Sequence, residues 1–120
     1  MAVQCLIVDD NRDFLDAART LLEREGLTIV GVASTSADAL RKAEDLRPDV
    51  VLVDVSLGDE SGIELGRRLV ADPAHGATVI LISTRSEAEF AELITPCAAA
   101  GYLSKSDLSA DAIRSYLDGN

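Results

Sequence analysis

DVVLVDV, residues 49–55, is the stretch that decides the fold of this chain. Its central residues are all apolar, without the polar alternation of a strand that has one face in water. Such a continuous apolar run is typical of a strand buried on both faces of a parallel sheet. We therefore predict a buried strand that carries a carboxylate, Asp54, at its end.

Four similar runs lie elsewhere in the sequence: VQCLIV from Val3, LTIVGVA from Leu27, ATVILIS from Ala77 and GYLS from Gly101. The segments between them have helical spacing of apolar residues. This strict alternation of strand and helix predicts an α/β fold in one domain, residues 1–120, with a doubly wound five-stranded parallel sheet between two layers of helices.

The helix boundaries can be predicted from capping residues. Phe14, Ala18, Leu21 and Leu22 share one face of the first predicted helix, which Gly26 is suited to end. Thr35 is suited to begin the second helix, and Pro48 to stop it.

Composition excludes several classes of protein. The chain has 21 acidic and 11 basic residues and a net charge of −10, which argues against direct nucleic acid binding by this domain. It has no apolar stretch of membrane-spanning length, so we expect no membrane association and a cytoplasmic location. Cys5 and Cys97 are expected to be buried thiols, and His75 an exposed loop residue.

Polar residues follow the predicted strands where a doubly wound sheet binds its ligands. Asp9 and Asp10 follow the first strand, Asp54 ends the third, Ser83 and Thr84 end the fourth, and Lys105 follows the fifth. Three carboxylates in one crevice require either a bound proton or a cation. Oxygen ligands alone favour Mg²⁺.

The same set suggests phosphoryl chemistry. A carboxylate not needed for the metal can attack phosphorus, and Lys105 and the Ser83 hydroxyl can contact the phosphoryl oxygens. Taken alone, the residues also fit simpler roles, because Asp9 and Asp10 suit a helix N-terminal cap and Asp54 suits a cap of the following turn.

The segments LIVDDNRD, VVLVDVSLGDESGIELGRRL, VILIS and GYLSKSDL, in this order and spacing, resemble the receiver domains of bacterial two-component response regulators. The resemblance covers essentially the whole chain. It implies a flavodoxin-like receiver fold in a phosphorelay protein, with Asp54 as the phosphoacceptor that forms an aspartyl phosphate. The phosphodonor would be a histidine kinase or a phosphotransfer protein.

The resemblance also implies roles for the other residues. Mg²⁺ would be held by Asp10 directly, by Asp9 through water, by Asp54 and by the Ser56 backbone carbonyl. Ser83 and Lys105 would assist phosphoryl transfer, and Tyr102 would turn inward when Ser83 moves toward the phosphoryl group.

The sequence departs from the family pattern in the loop after Lys105 and at positions that tune phosphoryl lifetime. Ser106 stands where receivers usually have proline, often after a cis bond, so we expect a trans peptide and an altered loop. Thr84 narrows the approach to the phosphoryl group. Ser56 and Arg85 occupy positions that vary in the family and tune how fast water hydrolyses the acyl phosphate. We therefore expect a modified lifetime of the phosphorylated state, without predicting whether it is longer or shorter.

We therefore expect a signalling switch, not an enzyme beyond its own phosphorylation and dephosphorylation. The face formed by the predicted fourth helix, fifth strand and fifth helix is the expected surface for an output partner or a homodimer. Two alternatives remain. One is a pseudo-receiver that binds partners without phosphorylation. The other is a Mg²⁺-dependent phosphatase with an aspartyl intermediate, although such enzymes separate their two aspartates by one residue whereas Asp9 and Asp10 are adjacent.

Overall fold

A computed structural model describes residues 3–71, 77–84 and 101–118 of the 120-residue chain. The regular elements follow in chain order: β1 (Gln4–Val8), α1 (Arg12–Arg24), β2 (Thr28–Ala33), α2 (Ser36–Leu46), β3 (Val50–Asp54), β4 (Ser56–Leu57), β5 (Glu60–Ser61), α3 (Gly62–Ala71), β6 (Thr78–Ser83), β7 (Gly101–Ser104), a 3₁₀ turn (Lys105–Asp107) and α4 (Ala110–Asp118).

The main sheet is parallel and has the strand order β2-β1-β3-β6-β7. Its five strands are the five predicted ones, which confirms the predicted fold class. A second, two-stranded sheet was not predicted: β4 and β5 form a short antiparallel hairpin directly after β3. Gly58, in its turn, has a φ of +58°, a left-handed conformation that glycine adopts without strain.

Helices cover both faces of the main sheet. Val51 and Val53 of β3 pack into a cluster with residues of α2 and α3, whereas Val50 and Leu52 pack into a cluster with residues of α1 and α4. Successive side chains of a strand point to opposite faces, so both faces of β3 need apolar residues. This explains the continuous apolar run Val50–Val53.

Capping groups set the helix ends close to where the sequence predicted them. Asn11 is the N-cap of α1, and its side-chain oxygen accepts a hydrogen bond from the Phe14 amide at 3.2 Å. The cap interpretation of Asp9 and Asp10 is therefore wrong. Thr35 caps α2 as predicted, and Gly26, with a φ of +98°, follows the end of α1.

The inward face of α1 differs from the predicted one by a small rotation. Ala18 and Leu22 are buried as expected, but Leu21 is 39% exposed and Leu15 is buried as well. Cys5 lies in the core, where burial raises the pKa of its thiol to about 12, as expected of an unreactive cysteine.

Several sequence predictions fall outside the described residues: the fourth predicted helix, Arg85, His75 and Cys97. The predicted fifth helix is α4. Among the described residues, no helix has the length and apolar character needed to cross a membrane.

The start of α4 is joined to the end of α1. Glu25 accepts a hydrogen bond from the Ala110 amide through its side chain at 2.6 Å and one from Arg114 through its backbone carbonyl at 3.1 Å. A carboxylate at a helix N-terminus satisfies a free N–H group and interacts favourably with the helix dipole. The two helices on this face of the sheet therefore share a polar contact as well as a core.

Gly62→Ala should destabilise the protein strongly. A Cβ at Gly62 would lie 1.7 Å from the backbone oxygen of Asp54, so β3 or α3 would have to shift. We expect a loss of about 3 kcal/mol, the upper end of the usual range for an overpacked site, in urea denaturation. Gly31→Ala is the control, because its Cβ would meet only side-chain atoms, the nearest at the end of the flexible Leu46 side chain at 3.1 Å. Equal effects of the two changes would contradict this account.

Candidate functional site

Two neighbouring strands at the centre of the sheet place three carboxylates at one edge. β1 leads into Asp9 and Asp10, and β3, which pairs with β1, ends at Asp54. One carboxylate oxygen from each residue lies within 4.8 Å of the others. Asp9 is fully buried, Asp54 is 7% exposed and Asp10 is exposed, so the cluster lies at the mouth of a crevice.

Lys105 brings a positive charge to this cluster. Its ammonium nitrogen lies 2.5 Å from Asp9 Oδ2 and 3.5 Å from Asp54 Oδ2, and its side chain is only 14% exposed. The ammonium group is also 4.1 Å from the centre of the Phe14 ring. The lysine is thus enclosed between two carboxylates and an aromatic face.

Backbone amides hold the two buried carboxylates. The Asn11 amide donates to Asp9 Oδ1 at 2.8 Å, and the Ser56 amide donates to Asp54 Oδ1 at 3.2 Å. Asp54 therefore does cap the turn that follows its strand, as the simpler interpretation predicted, and it joins the acidic cluster as well. Each carboxylate keeps its second oxygen, Oδ2, toward Lys105.

The environment disfavours the ionised form of Asp54. Burial and the negative charge of Asp9 raise the pKa of Asp54 to about 6, against the lowering effects of the Ser56 amide and of Lys105. A single lysine therefore does not compensate the charges in this crevice.

The donor set fits a divalent cation. Asp9 Oδ2 is buried and, among the described residues, has no hydrogen-bond donor besides the charged contact with Lys105. Three carboxylate oxygens at this spacing, without histidine or cysteine, form an all-oxygen site of the kind that Mg²⁺ and Ca²⁺ occupy. Such an ion would supply the positive charge that the crevice lacks.

The other predicted residues lie around the cluster at different depths. Ser83 is buried at the end of β6, one residue beyond Ile82, which pairs with Asp54. Thr84 is exposed. Tyr102 is 4% exposed and belongs to the core cluster under α2 and α3.

The peptide bond after Lys105 is trans, as Ser106 predicts. No peptide bond in the described residues is cis, and Lys105–Asp107 form a 3₁₀ turn. The hydroxyls of Ser104 and Ser106 lie 2.9 Å apart and form a hydrogen bond across Lys105. This hydrogen bond stabilises the backbone on both sides of the lysine.

Three residues near the cluster were missed by the sequence analysis: Asn11, Phe14 and Gly58. A Cβ at Gly58 would lie 3.3 Å from Asp10 Oδ2, so the β4–β5 turn closes one side of the cluster. Asn11 had a recognisable signal, since it stands three residues before Phe14 at a helix start. The contact between Phe14 and Lys105 joins residues 91 positions apart, and no local pattern indicates it.

Comparison with known proteins identifies the family. The sequence model of the response regulator receiver domain matches residues 5–118. The response regulator GacA of Pseudomonas aeruginosa is 34% identical over 108 residues, which cover 86% of this chain and 48% of GacA. UvrY of Escherichia coli, also a response regulator, is 31% identical over 121 residues, covering 98% of this chain and 55% of UvrY. The chain thus spans about half the length of these relatives.

Solved structures agree with the sequence relatives. The signal receiver domain of a modulated diguanylate cyclase from Desulfovibrio desulfuricans is 32% identical, with a TM-score of 0.81 and coverage of 98% of this chain and 92% of that one. A response regulator from Burkholderia pseudomallei, whose structure contains a phosphorylated aspartic acid, a calcium ion and citrate, is 25% identical, with a TM-score of 0.80 and coverage of 98% and 68%. The chain belongs to the response regulator receiver domain family of two-component systems.

Proposed function

We propose that this domain is a phosphoacceptor switch that takes a phosphoryl group onto Asp54 from a histidine kinase or phosphotransfer protein, in a reaction that requires Mg²⁺. One observation carries the proposal: the Asp54 carboxylate lies beside two other carboxylates, within 4.8 Å, and its Oδ2 is 3.5 Å from Lys105. The phosphorylated aspartic acid and calcium ion in the Burkholderia pseudomallei structure support it by similarity.

Asp54 would act as the nucleophile. One of its carboxylate oxygens forms a bond to phosphorus, the bond from phosphorus to the donor histidine nitrogen breaks, and the imidazole keeps the electron pair. The Ser56 amide holds Oδ1 at 3.2 Å and leaves Oδ2 on the side of Lys105. This arrangement points to Oδ2 as the oxygen that attacks.

Asp9, Asp10, Asp54 and the Ser56 backbone carbonyl would hold the metal ion, Asp9 through water. When bound, Mg²⁺ neutralises the carboxylates and the phosphoryl oxygens. Lys105 would then contribute its charge, and Ser83 its hydroxyl, to the oxygens of the transferred group.

Hydrolysis of the acyl phosphate returns the domain to its resting state. Ser56 and Thr84 are both exposed beside the crevice, where they can affect the access of water to the phosphoryl group. With Arg85 they would tune the lifetime of the phosphorylated state.

The output would pass through the face that includes β7 and α4. β7 carries Tyr102 and leads directly into Lys105, so the crevice and this face share one short segment. Rearrangement of Ser83 and Tyr102 on phosphorylation would change the surface offered to an output partner or to a second copy of the domain.

Asp54→Asn should abolish covalent phosphorylation, because an amide is a much poorer nucleophile than a carboxylate. Acetyl phosphate with Mg²⁺ should add one phosphoryl group, about 80 Da, to the wild-type protein, as measured by intact-mass spectrometry. Chelation of Mg²⁺ should remove the signal. Beryllofluoride should shift backbone amide NMR signals around Asp54, Ser83 and Tyr102 in the wild type only.

Asp45→Asn is the matched control, since Asp45 is an exposed aspartate in the last turn of α2. It should be phosphorylated like the wild type. Phosphorylation of Asp54→Asn to the same stoichiometry would refute the assignment. Absence of any response in the wild type would favour a pseudo-receiver that acts without phosphorylation.

In metal-free protein, Asp54→Asn should raise the thermal stability above pH 6. The pKa of Asp54 is about 6 in the folded state and ordinarily about 3.8, so the folded protein binds this proton more tightly than the unfolded chain. Ionisation of Asp54 therefore lowers stability as pH rises from about 4 to 6, and the loss persists at higher pH. The asparagine variant lacks this loss.

The measurement is the difference in Tm between variant and wild type from pH 3.5 to 8. The difference should be small at pH 3.5, grow through pH 6 and shrink at pH 8 on addition of Mg²⁺, which stabilises the wild type by binding the folded state. Asp45→Asn should show no such pH-dependent difference. A constant difference at all pH values would contradict the raised pKa of Asp54 in the folded protein.

A further inference from the structure

We propose that Phe14 is a positioning residue for Lys105, and that its ring retains the lysine ammonium group over the acidic crevice by a cation–π contact. This inference rests on the proposed phosphoacceptor function, in which Lys105 is the positive partner of the phosphoryl group. It adds a residue of α1 to a site otherwise formed by loops that follow β1, β3, β6 and β7.

The geometry of the contact is favourable. The Lys105 nitrogen lies 4.1 Å from the centre of the Phe14 ring, well inside the roughly 6 Å within which a cation is attracted to an aromatic face. The Lys105 side chain is 14% exposed and Phe14 is half-buried. Removal of water from both partners strengthens such a contact relative to an exposed one.

Phe14 is held in place by the same carboxylate that attracts Lys105. Asp9 Oδ1 accepts a hydrogen bond from the Asn11 amide at 2.8 Å, and the Asn11 side chain caps the Phe14 amide at 3.2 Å. Asp9 Oδ2 in turn lies 2.5 Å from the Lys105 nitrogen. Asp9, Asn11, Phe14 and Lys105 therefore form a closed set of contacts, in which the Asn11 cap holds the backbone of Phe14 and the ring contacts the ammonium group.

Ion pairs with Asp9 and Asp54 do not by themselves keep Lys105 in place over the crevice. Lys105 lies closer to Asp9, at 2.5 Å, than to Asp54, at 3.5 Å, so its nearer ionic partner is not the proposed phosphoacceptor. Any cation bound to Asp9 also weakens the hold of that carboxylate on Lys105. The ring attracts the ammonium group whatever the charge of Asp9 or Asp54, and it forms no hydrogen bond that would have to break.

A simpler role for Phe14 is apolar packing, since its side chain also contacts the core cluster under α1 and α4. Fluorine substitution separates the two roles, because it weakens the negative face of the ring while the shape stays similar. Phe14 would be replaced in turn by 4-fluoro-, 3,5-difluoro- and 3,4,5-trifluorophenylalanine, and by leucine.

The readouts are the Kd for beryllofluoride at fixed Mg²⁺ and the rate constant for phosphorylation by acetyl phosphate. With each added fluorine the Kd should rise and the rate constant should fall. The total change should be about threefold to tenfold for the trifluoro ring and for Phe14→Leu. The Tm of the fluorinated proteins should stay close to that of the wild type. In a Lys105→Met background the same series should be flat, because the cation is gone.

A flat series with Lys105 intact would overturn the inference and leave the phosphoacceptor function standing. Equal slopes with and without Lys105 would also overturn it, because Phe14 would then act through packing. No beryllofluoride binding at Asp54 in the wild type would refute the proposed function and this inference together.

A second measurement covers the case in which Lys105→Met binds beryllofluoride too weakly to titrate. Phe14→Leu and Lys105→Met would be combined in metal-free protein, and the free energy of unfolding measured for both single variants and the double variant. Non-additive losses are expected, because the two residues contact each other. Additive losses would overturn the inference.

Discussion

The buried carboxylate of Asp9 is the group around which the crevice is arranged. A carboxylate without solvent exposure is unfavourable unless donors and positive charge surround it. Asp9 obtains one donor from the Asn11 amide, at the start of α1, and a positive charge from Lys105, after β7. Because Asp9 makes both contacts, the start of α1 and the residue that follows β7 lie close to the same carboxylate. Asp54 enters a region that is already negative, and its raised pKa follows from that position.

The strand order explains why a lysine is suited to this role. β7 is separated from β1 by β6 and β3, and neighbouring strands are about 4.8 Å apart, so the two strands are roughly 14 Å apart. A short side chain at the end of β7 could not reach Asp9 across that distance. The 3₁₀ turn at Lys105–Asp107 starts at the lysine itself and turns the chain at the sheet end, and the four-carbon side chain covers the remaining distance. The hydrogen bond between the Ser104 and Ser106 hydroxyls stabilises this turn.

The sequence predicted the parts of the structure that depend on local pattern. The five apolar runs gave the strands, and parallel strands must deliver their polar ends to one edge, so the grouping of Asp9, Asp54 and Lys105 followed. The β4–β5 hairpin was not predicted, because strands of two residues leave no periodicity to detect. Leu21 was predicted to be buried and is exposed, because the apolar residues of a helix define its inward face only to within about one residue. The aromatic face of Phe14 beneath Lys105 depends on a contact between distant segments, which no single stretch of sequence encodes.

The last helix is tied to the crevice through a short and well-connected segment. Five residues, 105–109, join β7 to α4, and the first of them is Lys105. The Tyr116 hydroxyl donates to the Tyr102 carbonyl at 3.2 Å, and the Tyr116 ring lies so close to Gly101 that a Cβ there would be 2.2 Å from it. α4 is therefore in contact with the start of β7, the strand that leads into Lys105, while Glu25 holds its first turn to α1. These contacts connect the backbone on both sides of Lys105 to α4, and this continuity is the physical argument for the proposed output surface.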